Sequence, residues 1–323
     1  MVSIIVLTYR PDPDKLIATL TAAVQQQGID FEIVLSDDGS QENHFDLAEA
    51  YFRSVGFANY RLVPNAENKG TVQNCISGLK AASGEYVFLT SPGDILYDDF
   101  VLRDLYAFSQ EQDAQLCFGN AVHYAAENGS VRLTATWGAT ANPAHYGAKK
   151  SLKARQRRFA EGNWVIGAAY FRQREIALRS FADIAECSIY VEDTTSTAFL
   201  LAEGIPLCHY DRNVIWYEDG TGITTAASDK WRKRTNQDLA KAISKLKGRY
   251  PKSKFVDLMW ANACIENRRK RILYKALHHP IALIRHYWQK LAKKSTAVVC
   301  TEEDLSRLQT RLFSKKQGEV NGN

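Results

Sequence analysis

The sequence lacks the features by which chains of this size most readily disclose a function. Its six cysteines (75, 117, 187, 208, 264 and 300) are scattered, with no CxxC pair and no clustered spacing. That excludes a disulfide framework or a zinc site as the organising feature and predicts reduced thiols. No apolar run approaches the length of a bilayer span, and no low-complexity tract interrupts the chain. Met1 leads directly into VSIIVLTY, without the basic start, apolar stretch and small-residue cleavage site of a secretory signal. A cytoplasmic protein is the expectation. No GxGxxG follows the first strand-like segment, and neither GxxxxGKS nor GxxxxGKT occurs. Dinucleotide oxidoreductases and P-loop enzymes thereby lose their usual phosphate cradle. A carboxylate-held divalent cation is the physical alternative for any phosphate ligand.

What the sequence does have is a regular alternation in its first hundred residues. With 45% hydrophobic and 24% charged residues, the 323-residue chain can bury a full core. VSIIVLTY (2–9) is an unbroken apolar run, the pattern of a strand covered on both faces. Leu16, Leu20, Ala23, Val24 and Gln27 form a helical stripe, with Gly28 placed to stop it. FEIVLSDDGS (31–40) reads as a second strand ending in acids, followed by a helix marked by Phe45, Ala48, Phe52 and Val55. YRLVP (60–64) is a short strand, and Val72, Cys75, Ile76 and Leu79 stripe another helix. In GEYVFLTSPGDILYDDF (84–100) an apolar strand breaks at Ser91-Pro92-Gly93 just before Asp94. The alternation predicts an α/β fold, a mostly parallel sheet flanked by helices. Sites in such sheets form beyond the carboxyl ends of the strands. Thr8 to Arg10, Ser36 to Ser40 and Ser91 to Asp94 should therefore meet in one crevice.

In order and spacing, VSIIVLTYR (2–10), EIVLSDDGS (32–40), NKG (68–70), GEYVFLTSPGDILYDDF (84–100) and VEDTTSTAFLLAEG (191–204) resemble the inverting family 2 glycosyltransferases of the GT-A fold. Asp-Asp-Gly-Ser alone is ordinary turn chemistry; five segments in the right order are specific. The resemblance covers residues 1–230 and implies transfer of a sugar from a nucleotide-diphosphate donor, a UDP-sugar, to a hydroxyl of a glycan acceptor with inversion. Cell-surface polysaccharide or lipopolysaccharide biosynthesis is the implied setting. A non-catalytic sugar-nucleotide-binding protein of the same fold is the alternative. A nucleotidyltransferase is disfavoured, because LTYRPDPD lacks the expected Gly/Arg/Lys-rich loop.

The roles of single residues follow from the same resemblance. It implies nucleotide-sugar contacts from Thr8, Tyr9, Arg10, Asp37, Asp38, Lys69 and Trp164, with Asp38 accepting a hydrogen bond from the uracil ring. For Asp37 a turn or cap role competes, and for Tyr9 and Trp164 core packing does. Relatives usually place two acids where Thr90 to Gly93 stand, so Asp94 is implied as the surviving ligand of Mg²⁺ or Mn²⁺, and metal dependence is left open. Asp98 and Asp99 are expected to cap the next helix. Glu192 and Asp193 open a helix, where the dipole alone favours acids. In the family the aspartate of this pair removes the acceptor proton, so Asp193 is implied as general base and Glu192 as its neighbour at the acceptor. In YEDGTGITT (217–225), Glu218 and Asp219 stand where relatives often carry a His, so either acid completing a metal shell competes with an ordinary glycine-rich surface turn, and Arg232 and Lys233 follow as candidate diphosphate partners.

The C-terminal part is expected to be a helical, basic region over 231–313, with 314–323 a disordered tail. Residues 268–294 hold nine Lys or Arg (Arg268, Arg269, Lys270, Arg271, Lys275, Arg285, Lys290, Lys293 and Lys294) and no acid. These alternate with Leu273, Leu277, Ile281, Ile284, Tyr287 and Trp288. A solvated helix face and a helix lying on an anionic membrane both fit this pattern, the latter placing the protein on the inner face of the cell membrane. Nucleic acid is not expected, because no recognition motif accompanies the charge.

Overall fold

The computed structural model describes residues 1–127, 129–134, 138–220, 229–291 and 300–313, the side chains of 286–291 excepted. The expected tail 314–323, Lys293, Lys294, the loop residues 221–225 and the side chains of Tyr287, Trp288 and Lys290 lie outside the described residues.

The first half runs β1 (Val2–Thr8), α1 (Pro13–Val24), β2 (Phe31–Asp37), α2 (Phe45–Ser54), β3 (Tyr60–Pro64), α3 (Thr71–Ala81), β4 (Tyr86–Thr90), β5 (Ile95–Leu96), α4 (Val101–Glu111), β6 (Leu116–Glu127) and β7 (Ser130–Leu133). There follow α5 (Leu152–Ala160), β8 (Tyr170–Gln173), α6 (Arg174–Ile184), α7 (Glu192–Ala202), β9 (Leu207–Glu218) and α8 (Asp229–Arg249). The chain continues through α9 (Lys254–Cys264), α10 (Arg268–His278), α11 (Pro280–Leu291) and α12 (Glu302–Phe313).

One sheet carries the site, in the order β3-β2-β1-β4-β8-β6-β9-β5, with β7 beside β6. The β3-β2-β1-β4 block is parallel. In β1, β2 and β4 helices cover both faces, and Ile4, Ile5, Val6, Ile33, Val34, Leu35, Val87 and Phe88 are fully buried, whereas β3 is a partly exposed edge strand. Register sets the site: Thr8 lies opposite Asp37, and Val6 opposite Thr90, so three carboxyl ends finish side by side. Beyond β4 the pairing turns antiparallel to β8 and then mixed.

Helix α1 ends at Val24, earlier than its stripe predicts. Its end is fixed by tertiary partners: the Gln27 amide donates to the Asp99 carbonyl at 2.7 Å and the Gln26 side chain to the Asp98 carbonyl at 2.5 Å. Asp98 and Asp99 do not cap α4, whose N-cap, Phe100, has no side-chain bond. Asp98 instead accepts from the Phe100 amide, and Asp99 pairs with Arg311 of α12. The helices after residue 230 contribute Leu239, Ile243, Leu246, Val256, Met259 and Leu308 to the same apolar core as the sheet.

Candidate active site

The strand ends open into a cavity of about 570 Å³. Its wall includes Thr8, Tyr9 and Arg10 after β1, Asp38 after β2, Ser91, Pro92 and Asp94 after β4, and Glu192 and Asp193 at the start of α7. The convergence expected from topology is therefore observed. Asp37, Lys69 and Trp164 are not on this wall.

Asp37 shapes the loop around Asp38. Its carboxylate accepts from Thr8 Oγ1 at 2.9 Å, from the Ser40 amide at 2.7 Å and from Ser40 Oγ at 2.8 Å. Ser40 Oγ in turn accepts from the amide of Arg10, a non-glycine residue at φ 49°. Asp38, buried, accepts one backbone N–H on each oxygen, from Lys69 and Gly70, both at 2.9 Å. That explains the Asn-Lys-Gly segment: it contributes amides, whereas the Lys69 ammonium lies at the surface against Glu67. Each Asp38 oxygen keeps a lone pair for a ligand donor. Burial pushes the Asp38 carboxyl above its ordinary range, against the pull of those two amides. Trp164 donates its indole N–H to the Phe159 carbonyl at 2.9 Å and is partly exposed.

Asp94 is buried and accepts from the Glu218 amide at 3.3 Å. The side chain of Glu218 reaches back over the break after β4: a Cβ on Gly93 (φ +100°) would stand 2.3 Å from Glu218 Oε2. Burial, reinforced by the Glu218 charge, pushes Asp94 up to about 8. Two hard carboxylates on one wall suit Mg²⁺ or Mn²⁺, which take oxygen ligands and retain water or substrate oxygens. Among the described residues no group of three or more His, Cys, Asp and Glu is arranged for a metal, so donor oxygens would have to complete the shell. Asp219 points elsewhere, to His123 Nδ1 at 2.9 Å and to Thr134. Arg232 is exposed and pairs with Asp229, whereas its neighbour Trp231 lines the cavity.

Glu192 and Asp193 face Gly167: a Cβ there would lie 3.3 Å from Glu192 Oε1 and 3.8 Å from Asp193 Oδ2. Asp193 Oδ1 accepts from the Thr194 amide at 2.5 Å. Burial raises both carboxyls, Glu192 to about 8, where the neighbouring Asp193 charge adds to the effect. Sequence reasoning missed Arg172, the buried cation that opposes this rise. Arg172 comes from β8, donates to Ser196 Oγ at 3.0 Å and stacks over the Tyr170 ring at 4.2 Å. Asn74 was missed as well. From α3 it donates to the Thr8 and Ser36 carbonyls at 3.2 and 3.1 Å, tying β1 to β2 where the cavity opens.

The glycosyl transferase family 2 model matches residues 3–181, more than half of the chain. The chain belongs to that family. This family 2 member is 29% identical over 137 residues to the glycosyltransferase GlyG of Streptococcus pneumoniae, covering 42% of this chain and 44% of GlyG. It is 30% identical over 122 residues to the poly(ribitol-phosphate) beta-N-acetylglucosaminyltransferase TarP of Staphylococcus aureus, 36% of each chain. It thus spans less than half the length of these curated relatives. Its fold is similar to that of S. aureus TarS residues 1–349 solved with UDP, at TM-score 0.57 and 14% identity over 98% of this chain and 92% of that one. The Pyrobaculum calidifontis mannosyltransferase PcManGT, solved with GDP-Man and Mn²⁺, matches at TM-score 0.55 and 14% identity over 99% and 87%.

Proposed function

We propose that this glycosyltransferase transfers a sugar from a UDP-linked donor, with inversion, to a hydroxyl of a glycan acceptor in the assembly of a cell-surface polysaccharide or lipopolysaccharide. The observation that carries the reading is one cavity lined by Asp38, Asp94, Glu218, Glu192 and Asp193. The UDP-GlcNAc bound in a TarS structure supports the donor class, and the poly(ribitol-phosphate) in TarP's name supports a polymeric hydroxyl-bearing acceptor.

In this reading Asp38 accepts from the imide N–H of uracil, while Thr8, Tyr9 and Arg10 flank the nucleotide. Asp94 and Glu218 are the residues that would hold Mg²⁺ or Mn²⁺, which when bound would offset the charge on the diphosphate. Asp193 takes the acceptor hydroxyl proton as that oxygen bonds to the anomeric carbon. The carbon–phosphate-oxygen bond breaks on the opposite face, so configuration inverts. A carboxylate raised by burial is the stronger base, and the Arg172 cation opposes that rise. Glu192 hydrogen-bonds the acceptor beside it. Asp37, Lys69 and Trp164 support the donor loops and the cavity rim without lining the cavity.

The partners proposed are the nucleotide sugar, the glycan acceptor and an anionic membrane surface. Leu273, Leu277, Ile281 and Ile284 are exposed along α10 and α11, and Arg268, Arg269 and Lys270 are exposed beside them. Arg271, Lys275 and Arg285 face inward instead, onto Asn262 and Glu161. Among the described residues no helix is long and apolar enough to cross a membrane.

Thermal melting with a panel of nucleotide sugars, with and without Mn²⁺, tests the donor assignment. A UDP-sugar should raise Tm by several degrees, as any ligand specific to the folded state does. No stabilisation by any nucleotide sugar would remove the reading. Turnover of the stabilising donor excludes the non-catalytic alternative.

A further inference from the structure

The corner of the cavity where Asp94 and Glu218 meet holds a third charged group that none of the five motifs contains. Lys15 sits in the first turn of α1, positioned by Asp12, whose Oδ1 accepts from the Asp14 and Lys15 amides at 2.9 and 3.1 Å. Its ammonium donates to both oxygens of Glu218, at 2.8 and 2.7 Å. Glu218 is 6% exposed and Lys15 33%, so the acid is fixed and the cation has room to move. One turn on, Thr19 Oγ1 donates to the Asp94 carbonyl and accepts from the Gly93 amide, both at 3.1 Å. The helix is thus clamped to the 91–94 loop, and Lys15 reaches the carboxylates from a rigid base.

The Lys15 ammonium is paired with Glu218, and Asp94 accepts from the Glu218 amide beside it. A bare divalent cation that engages Glu218 competes with a two-pronged, charge-assisted pair and is repelled by its ammonium. The displaced ammonium then loses its Glu218 partner while Asp94, the acid next to Glu218, is also claimed by the metal. A diphosphate changes this, since it offers the ammonium new oxygens in the same cavity.

We propose that Lys15 is a donor-binding residue that couples metal entry to donor entry: its ammonium moves from Glu218 to the diphosphate, and Glu218 then joins Asp94 in holding the cation. The proposal rests on the nucleotide-sugar reading of the cavity. It gives Glu218 the place of the acid missing from residues 90–93.

The test titrates Mn²⁺ into the full-length protein alone and with saturating UDP, reading free Mn²⁺ by its electron paramagnetic resonance signal. Wild type should bind Mn²⁺ about tenfold more tightly when UDP is present, a coupling of ordinary size. Lys15→Met should bind Mn²⁺ alone about tenfold more tightly than wild type, bind UDP more weakly, and show a clearly smaller coupling, the remainder being what the diphosphate oxygens themselves add to the metal shell. Lys15→Arg should retain the coupling, and Glu218→Gln should weaken Mn²⁺ binding in the presence of UDP. Unchanged coupling in a folded Lys15→Met protein that still binds UDP would overturn the Lys15 assignment alone. Failure of wild type to bind UDP would remove the nucleotide-sugar reading and this proposal together.

Discussion

Glu192 is the residue at which stability and chemistry pull in opposite directions. Burial, with Asp193 beside it, raises its carboxyl to about 8. An acid raised on folding is bound to its proton more tightly in the native state, so it stabilises at low pH. That contribution is lost as pH climbs from the ordinary carboxyl range through about 8; Asp94 adds a change of the same sign. Urea unfolding should therefore show wild-type stability falling between about pH 5 and pH 9. Glu192→Gln should flatten part of that fall and be more stable than wild type at pH 9, by about 1–3 kcal/mol, while transferring sugar poorly. A variant less stable than wild type at pH 9 would contradict the assignment of cost to this carboxylate. At this scale the motif acids were legible because each follows a strand or opens a helix within a recognisable segment. Glu218 was legible only as one of two acids, with Asp219, that could complete a metal shell; Lys15 and Arg172 were not legible. Lys15 on its helix has the pattern of a solvated position, and it meets Glu218 from 203 residues away.

Among the elements, the loop after β2 depends on one backbone conformation. Gly39 has φ +74°, and a Cβ there would stand 2.4 Å from the Glu67 backbone. Gly39→Ala should cost about 2–3 kcal/mol by denaturant unfolding and weaken UDP binding, because Asp38 is carried on that turn. An unchanged UDP affinity would detach Asp38 from donor recognition. Asp12→Ala should cost about 1 kcal/mol as a lost helix cap. Strands β1, β2 and β4 were readable because buried parallel strands are near-continuous apolar runs, and β3, a partly exposed edge strand, from its place in the alternation. The partners of β5, β6, β8 and β9 were not, since their neighbours in the sheet lie far away in sequence and no local pattern names them. The end of α1 was misplaced for a related reason: the Asp98 and Asp99 carbonyls that fix it belong to another segment.

At the scale of the whole molecule, α10 and α11 carry a row of apolar side chains that the core leaves uncovered. Leu277 is 71% exposed and Ile281 62%. Replacing both with Glu should leave Tm within a degree or two of wild type and lower binding to phosphatidylglycerol-containing vesicles by tenfold or more, since apolar area and attraction to anionic lipid are lost together. Raising salt should weaken the wild-type interaction, and neutral phosphatidylcholine vesicles should bind little. Equal sedimentation of wild type and the double variant would count against docking. The charge run pointed to this face, but composition could not separate Arg268, Arg269 and Lys270, which are exposed, from Arg271, Lys275 and Arg285, which pack inward. That separation is made by tertiary contacts alone.

On the proposed reading, donor and base share one cavity but perform separable tasks, which Asp193→Asn separates when UDP-sugar affinity and transfer are both measured. Its Kd should stay within about threefold of wild type and its turnover should fall by at least about 10²-fold. Wild-type turnover in that variant, or donor affinity that falls in step with turnover, would contradict that reading.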